Sequence, residues 1–399
     1  EYALINQLAP AISVEVINQV AASLIADNNL VIAAMLPDKE GVVYPTEEEF
    51  AASIAAVAAE DIEPYVEEVS DEPLISELPA PGKVVMTEDS IFGYKKYLLS
   101  NGATVYLKTT DFNADQILMR ATSFGGSSLY PDSQARNLGV LSEVIALGGV
   151  GNFSRTALNK ALAGKQVSVT PQISVYNEAL RGNSTPKDFE TMLQLTYLAF
   201  TAPRKDMDVY TATIQRSREQ LAAAEINPIT ALQDTVTSVV YNNHPFRLRE
   251  KPEDLDKIDY DRILQIYKER FADADDFQFF FIGDIDIEAA KPLFETYLGS
   301  LPVVKGSEKY KNIDLLIRKG EVENIFEKEQ ETPNAIVVYL YHAPMDYTLK
   351  NDLCVDMLEQ VLQIRFTESV REDNGGAYSV GVGSGLSDYP EKMGMVQIQ

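Results

Sequence analysis

Side chains able to do chemistry are scarce in this chain, and the two that stand out are polar donors. There are two histidines, His244 and His342, and a single cysteine, Cys354. Neither histidine has a second imidazole or a thiol at metal-ligand spacing, so both read as structural. A lone thiol closes no intramolecular disulfide. No Gly-x-Ser-x-Gly elbow, phosphate loop or dinucleotide fingerprint occurs, and Gly148, Gly149 and Gly151 lack the spacing for one. Arg371 falls in the last turn of a predicted helix that stops at Asn374-Gly375-Gly376, and Tyr378 reads as the start of the following strand. A guanidinium and a phenol aimed from two rigid elements are both hydrogen-bond donors, suited to a carbonyl oxygen or to the oxyanion that develops in acyl transfer. On residue types alone a plainer reading competes: Arg371 neutralises the helix C-terminus and Tyr378 packs in a sheet.

The elements that must position this pair follow from periodicity. Leu353, Met357, Val361 and Ile364, beside Leu358, Leu362, Phe366 and Val370, give a long helix over 348–372 a broad apolar face. Strands are predicted at 334–342, 377–383 and 395–399, and Gly381, Gly383 and Gly385 suggest close approach of another backbone. Upstream, strands at 94–99 and 104–108 flank Asn101-Gly102, a strong hairpin signal. A strand at 116–122, helices at 137–147 and 154–162, and strands at 167–174 and 178–182 come next. Helices at 188–200, 206–225 and 228–241, a continuous apolar strand at 276–283 and a helix at 287–298 complete the series. That order predicts an α+β fold in which helices cover one face of a mostly antiparallel sheet. At the start of the chain the pattern is helix (12–24, stopped by Asn28-Asn29), buried strand (30–36), then a helix capped by Thr46. The division expected is 1–62, an acidic interdomain linker at 63–87, a complete domain at 88–303, and the truncated beginning of a further domain at 304–399.

Composition bounds the partners. The 399 residues carry 34 Lys and Arg against 60 Asp and Glu, a net charge of −26, so nucleic acid and anionic lipid surfaces are repelled. With 45% apolar residues the chain can build packed cores, which excludes disorder as its main state. No stretch approaches the roughly 20 apolar residues of a membrane span. The sequence opens on Glu1 and reads as beginning inside a domain, with any signal peptide expected upstream.

Several segments, in order and spacing, resemble the pitrilysin/insulinase (inverzincin) family of zinc metallopeptidases, in particular its long bacterial members with two homologous halves. They are Gln116 through Ser128 (QILMRATSFGGSS), Ala163-Gly164-Lys165, and Asp188 through Leu195. Others are His244-Pro245 with Ile258-Asp259, Phe280 through Asp284, and Arg365 through Glu372 with Gly376 through Val380. The resemblance implies tandem peptidase-like domains. Residues 1–62 would end the second, 88–303 would be the third, and 304–399 would begin the fourth. The family's His-x-x-Glu-His zinc motif is matched here by Val140-Leu-Ser-Glu143-Val144, and valine cannot ligate zinc. The third domain would therefore be metal-free, with zinc bound by an N-terminal half. The resemblance makes Arg371 and Tyr378 the arginine and tyrosine that reach across a closed chamber to the zinc site, although Asp373-Asn374-Gly375 departs from the basic residue often found in that turn. It implies a zinc endopeptidase whose C-terminal half is inactive alone, acting on peptides or unfolded protein, with no nucleic acid or membrane insertion, in the periplasm. The alternative is a non-catalytic scaffold or peptide-binding subunit of the same fold.

Overall fold

The computed structural model describes residues 2–24, 31–36, 41–61, 72–304, 306, 308–330 and 332–399. The chain divides into two compact units, Glu1–Glu68 and Val69–Gln399. In the first unit α1 (Tyr2–Leu8), α2 (Val14–Leu24) and α3 (Glu47–Ala58) follow one another. Thr46 caps α3 as its type suggests. The Glu49 N–H donates to Thr46 Oγ1 at 3.2 Å and the Thr46 N–H donates to Glu49 Oε2 at 2.8 Å, a reciprocal capping box. The buried strand expected at 30–36 is not formed. Residues 31–36 are irregular, and Val31 and Met35 are exposed. A uniformly apolar run becomes a strand only when a neighbouring strand takes its backbone groups, and among the described residues none does. The stop at Asn28-Asn29, Leu30, residue 62 and residues 63–71 of the expected linker lie outside the described residues.

The second unit is built on a seven-stranded sheet of β1 (Val84–Asp89), β2 (Lys95–Leu99), β3 (Thr104–Thr109) and β4 (Ile117–Phe124), followed by β5 (Val167–Ile173), β6 (Asn177–Ser184) and β7 (Gln278–Gly283). The spatial order is β1-β2-β3-β7-β4-β6-β5, and only β3 and β7 run parallel. β1 starts at Val84, inside the stretch read as linker, because its backbone pairs antiparallel with β2 from Leu99 to Lys95. The alternation in β4 decides which face is core: Ile117, Met119, Ala121 and Ser123 are buried while Leu118, Arg120 and Phe124 are exposed.

Helices α4 (Ala135–Gly148), α5 (Arg155–Ala161), α6 (Phe189–Thr201), α7 (Met207–Glu225), α8 (Pro228–Val240), α9 (Tyr260–Arg270) and α10 (Ile287–Leu293) accompany the sheet. Leu141 and Val144 of α4, Met192 and Leu193 of α6, and Ile263, Ile266 and Tyr267 of α9 share one core with Leu99, Val105, Ile117, Leu180 and Phe281 of the strands. The only polar atom of Tyr267 is satisfied within that core, its hydroxyl donating to Ala199 O at 2.8 Å. An α+β fold with a mostly antiparallel sheet and helices on one face is thus what the alternation of elements builds.

Residues 308–399 belong to the same compact unit. An irregular segment leads to a three-stranded antiparallel sheet of order β8-β10-β9 and a long helix. These elements are β8 (Tyr339–Pro344), α11 (Leu349–Phe366), β9 (Val382–Ser387) and β10 (Met393–Ile398). Beyond Phe366 the helix widens into a π turn, Thr367–Asp373. Val355 is buried, whereas Leu353, Met357, Leu358, Val361 and Ile364 are exposed. β9 starts at Val382, five residues later than expected, and Gly381, Gly383 and Gly385 have open space on their α-carbons rather than a backbone in close approach.

Candidate functional site

Arg371 leaves the π turn close to its end. The Gly376 N–H closes back onto Val370 O at 2.8 Å and the Gly375 N–H onto Arg371 O at 3.2 Å, and Gly375 holds the left-handed φ of +56° that this cap requires. The chain then reverses, and Tyr378 returns beneath the guanidinium: Arg371 Cζ lies 5.9 Å from the centre of the Tyr378 ring, within cation–π range. Tyr378 is 92% exposed, so its phenol and the Arg371 guanidinium both face open space. It sits in an irregular stretch and not on a strand, because the backbone there is claimed by a side chain. Gln363 of α11 donates from Nε2 to Val380 O at 2.8 Å and accepts from the Val382 N–H at 2.9 Å. Those two bonds clamp the foot of the Tyr378 loop to the helix. Sequence reasoning missed Gln363. A polar residue among Leu362, Ile364 and Phe366 was the available signal.

A second cluster lies where β4, β6 and α9 meet. Glu178 is 1% exposed and accepts from the Gly126 N–H at 2.7 Å. Burial pushes its pKa up to about 7, against the opposing pull of that N–H and of Arg270. Arg270, itself buried, is engaged elsewhere: it donates to both carboxylate oxygens of Glu308 at 2.6 and 3.0 Å and to Tyr130 Oη at 3.0 Å. The fork draws the segment after residue 304 onto the sheet. The histidines serve the same segment. Phe246 N–H donates to His244 Nδ1 at 3.3 Å, which leaves Nε2–H to donate to Ile313 O at 3.0 Å. His342 Nε2 lies 3.1 Å from Arg318 O. Both imidazoles are therefore anchors for backbone, as their isolation in the sequence suggests.

Residues 257–398 match the family model described as the peptidase M16 inactive domain. Over those residues the chain is similar to the M16 peptidase family. The chain is 26% identical over 304 residues to a protein of Arabidopsis thaliana named zinc protease PQQL-like, an alignment covering 76% of the chain and 29% of that relative. Two solved structures share its fold. The periplasmic protease PqqL from Escherichia coli superposes with a TM-score of 0.69 at 19% identity over 89% of this chain and 39% of that one. Pitrilysin gives 0.51 at 11% identity over 81% and 35%. The chain thus spans about a third of the length of each of these three proteins.

The names of its relatives imply zinc, and the residues present do not fit that ion. Val140 of α4 packs against the core and Val144 is buried in it, while Glu143 between them is exposed. With hydrocarbon at both of these positions, one carboxylate is left where several donors are needed. Among the described residues no group of three or more His, Cys, Asp or Glu side chains is placed to hold a metal.

Proposed function

We propose that this chain is the C-terminal part of a zinc-dependent endopeptidase, in which it forms wall of a closed chamber and presents Arg371 and Tyr378 to the substrate. The metal and the general base belong to a companion N-terminal half. In this reading residues 1–62 end the second peptidase-like domain, 88–303 form the metal-free third, and 304–399 begin the fourth. The observation that carries it is the pairing of an exposed guanidinium with an exposed phenol, 5.9 Å apart, on a loop fixed by Gln363. Neither has an acid to neutralise nearby among the described ion pairs, so both keep their N–H and O–H bonds free for an incoming acceptor. A peptide carbonyl oxygen is such an acceptor, and its demand for donors grows as it turns into an oxyanion during hydrolysis.

The substrate is a peptide or unfolded protein. The charge of −26 disfavours nucleic acid, and among the described residues no helix is long and apolar enough to cross a membrane. We place the protein in the periplasm, by analogy with the Escherichia coli neighbour. The test is cleavage of a quenched fluorescent peptide with zinc present. This chain alone is expected to be silent and a protein joining it to its N-terminal half to cut. Zinc-dependent cleavage by the chain alone would overturn the proposal.

A further inference from the structure

The face of the seven-stranded sheet turned away from the helices carries a charge pattern opposite to that of the whole chain. One cross-strand row reads Glu88, Lys96, Tyr106, Phe280, Arg120, Arg181 and Thr170, from β1 to β5. Lys96 is paired with Glu88 at 2.8 Å, and Lys108 lies 5.7 Å from the Tyr94 ring. Arg120 and Arg181 are register partners on antiparallel β4 and β6, both exposed. No ion pair or hydrogen bond engages either guanidinium among the described residues. Like charges directly opposite one another weaken a sheet. In a chain of net charge −26 an acidic neighbour for them would be easy to find, and the described residues supply none. Beside Arg120 the rings of Phe280 and Tyr106 are stacked face to face at 4.8 Å with 9° between their planes, an apolar pair that presents its ring edges in the same row.

We propose that this face docks an acidic peptide segment, its carboxylates taken by Arg181 and Arg120 and an apolar or aromatic residue resting on Phe280 and Tyr106. Guanidinium forks match carboxylates in geometry as well as charge. The row from Arg181 to Tyr106 crosses three strand spacings, about 14 Å. An extended peptide covers about 13 Å in four residues, so the pattern that fits is acid, any, acid, any, aromatic. The surface belongs to this chain itself, and the proposal holds whether or not the chain works within a peptidase.

The test is fluorescence anisotropy of a labelled Glu-Ala-Glu-Ala-Phe peptide titrated with the chain, beside the same peptide carrying Gln or Lys at both acidic positions. The acidic peptide is expected to bind saturably and to weaken with added salt, with the Gln and Lys peptides at least about tenfold weaker. The double variant Arg120→Gln, Arg181→Gln should lose about tenfold or more in affinity and melt no lower than wild type, since it removes a like-charge pair. Should it melt lower, the Arg120→Lys, Arg181→Lys pair carries the test, expected to keep the fold and lose part of the affinity. Equal binding of the Gln peptide, unchanged affinity in the variants, no saturable binding, or tighter binding of a single-stranded oligonucleotide each overturns the proposal.

Discussion

Replacing Glu178 by Gln should abolish a pH dependence of stability that a buried carboxyl creates. Burial raises the Glu178 pKa from 4.5 to about 7, so the folded chain holds that proton more tightly than the unfolded one. Below about pH 4.5 both states are protonated and no cost arises; above about 7 both are ionised and the folded state bears the whole cost of a buried carboxylate. Between these limits stability falls as pH rises, by 1.36 kcal/mol for each pH unit, or about 3 kcal/mol in all. Gln keeps an oxygen for the Gly126 N–H and does not titrate. Urea unfolding of wild type and Glu178→Gln at several pH values from about 5 to 8 isolates the effect, because other titrating groups cancel in the difference. The two should be close at the acidic end, with the variant ahead by about 2 to 3 kcal/mol at the basic end. A difference that stays flat, or one in which wild type gains as pH rises, refutes the reasoning.

Gln363→Ala should free the Tyr378 loop without unfolding the helix that carries Arg371. Two hydrogen bonds are lost, worth about 1 to 3 kcal/mol together, and hydrogen exchange at residues 378–382 should quicken while that of α11 stays unchanged; equal exchange in both would sink the clamp. Gly126→Ala should cost about 2 to 4 kcal/mol. Its φ is +60° and a β-carbon there would strike the Ser174 carbonyl and the Asn177 N–H, so a melting temperature near that of wild type would contradict this account of the turn.

What the sequence made legible was local. The alternation of Ile117, Met119 and Ala121 against Leu118, Arg120 and Thr122 marks both the strand and its buried face, and Thr46 with Glu49 marks a helix start. His244 and His342, isolated from other ligands in the sequence, each meet a backbone carbonyl in the fold. Where the outcome depended on a distant partner, the sequence was silent. Residues 31–36 have the composition of a strand and, among the described residues, no strand beside them. The strand expected at 377 begins at 382 because Gln363, remote in sequence, holds the backbone before it. Arg270 and Glu308 stand 38 positions apart, and nothing in either neighbourhood marks the other as its partner. Arg120 and Arg181 become a pair only once the register of β4 on β6 is set. Arg371 and Tyr378 stand out by residue type and place, and only the resemblance to a family favours a functional reading of them over the plainer one.

The most direct measurement compares wild type, Tyr378→Phe and Arg371→Ala in a protein joining this chain to the zinc-bearing N-terminal half proposed for it, cleaving a quenched fluorescent peptide. Circular dichroism is used to check that each is folded. Loss of one donor to a developing oxyanion costs about 10²- to 10³-fold in turnover, and each variant is expected to fall by that amount while binding zinc as tightly as wild type. Turnover within a fewfold of wild type in both variants would contradict the assignment of Arg371 and Tyr378 to the site of cleavage.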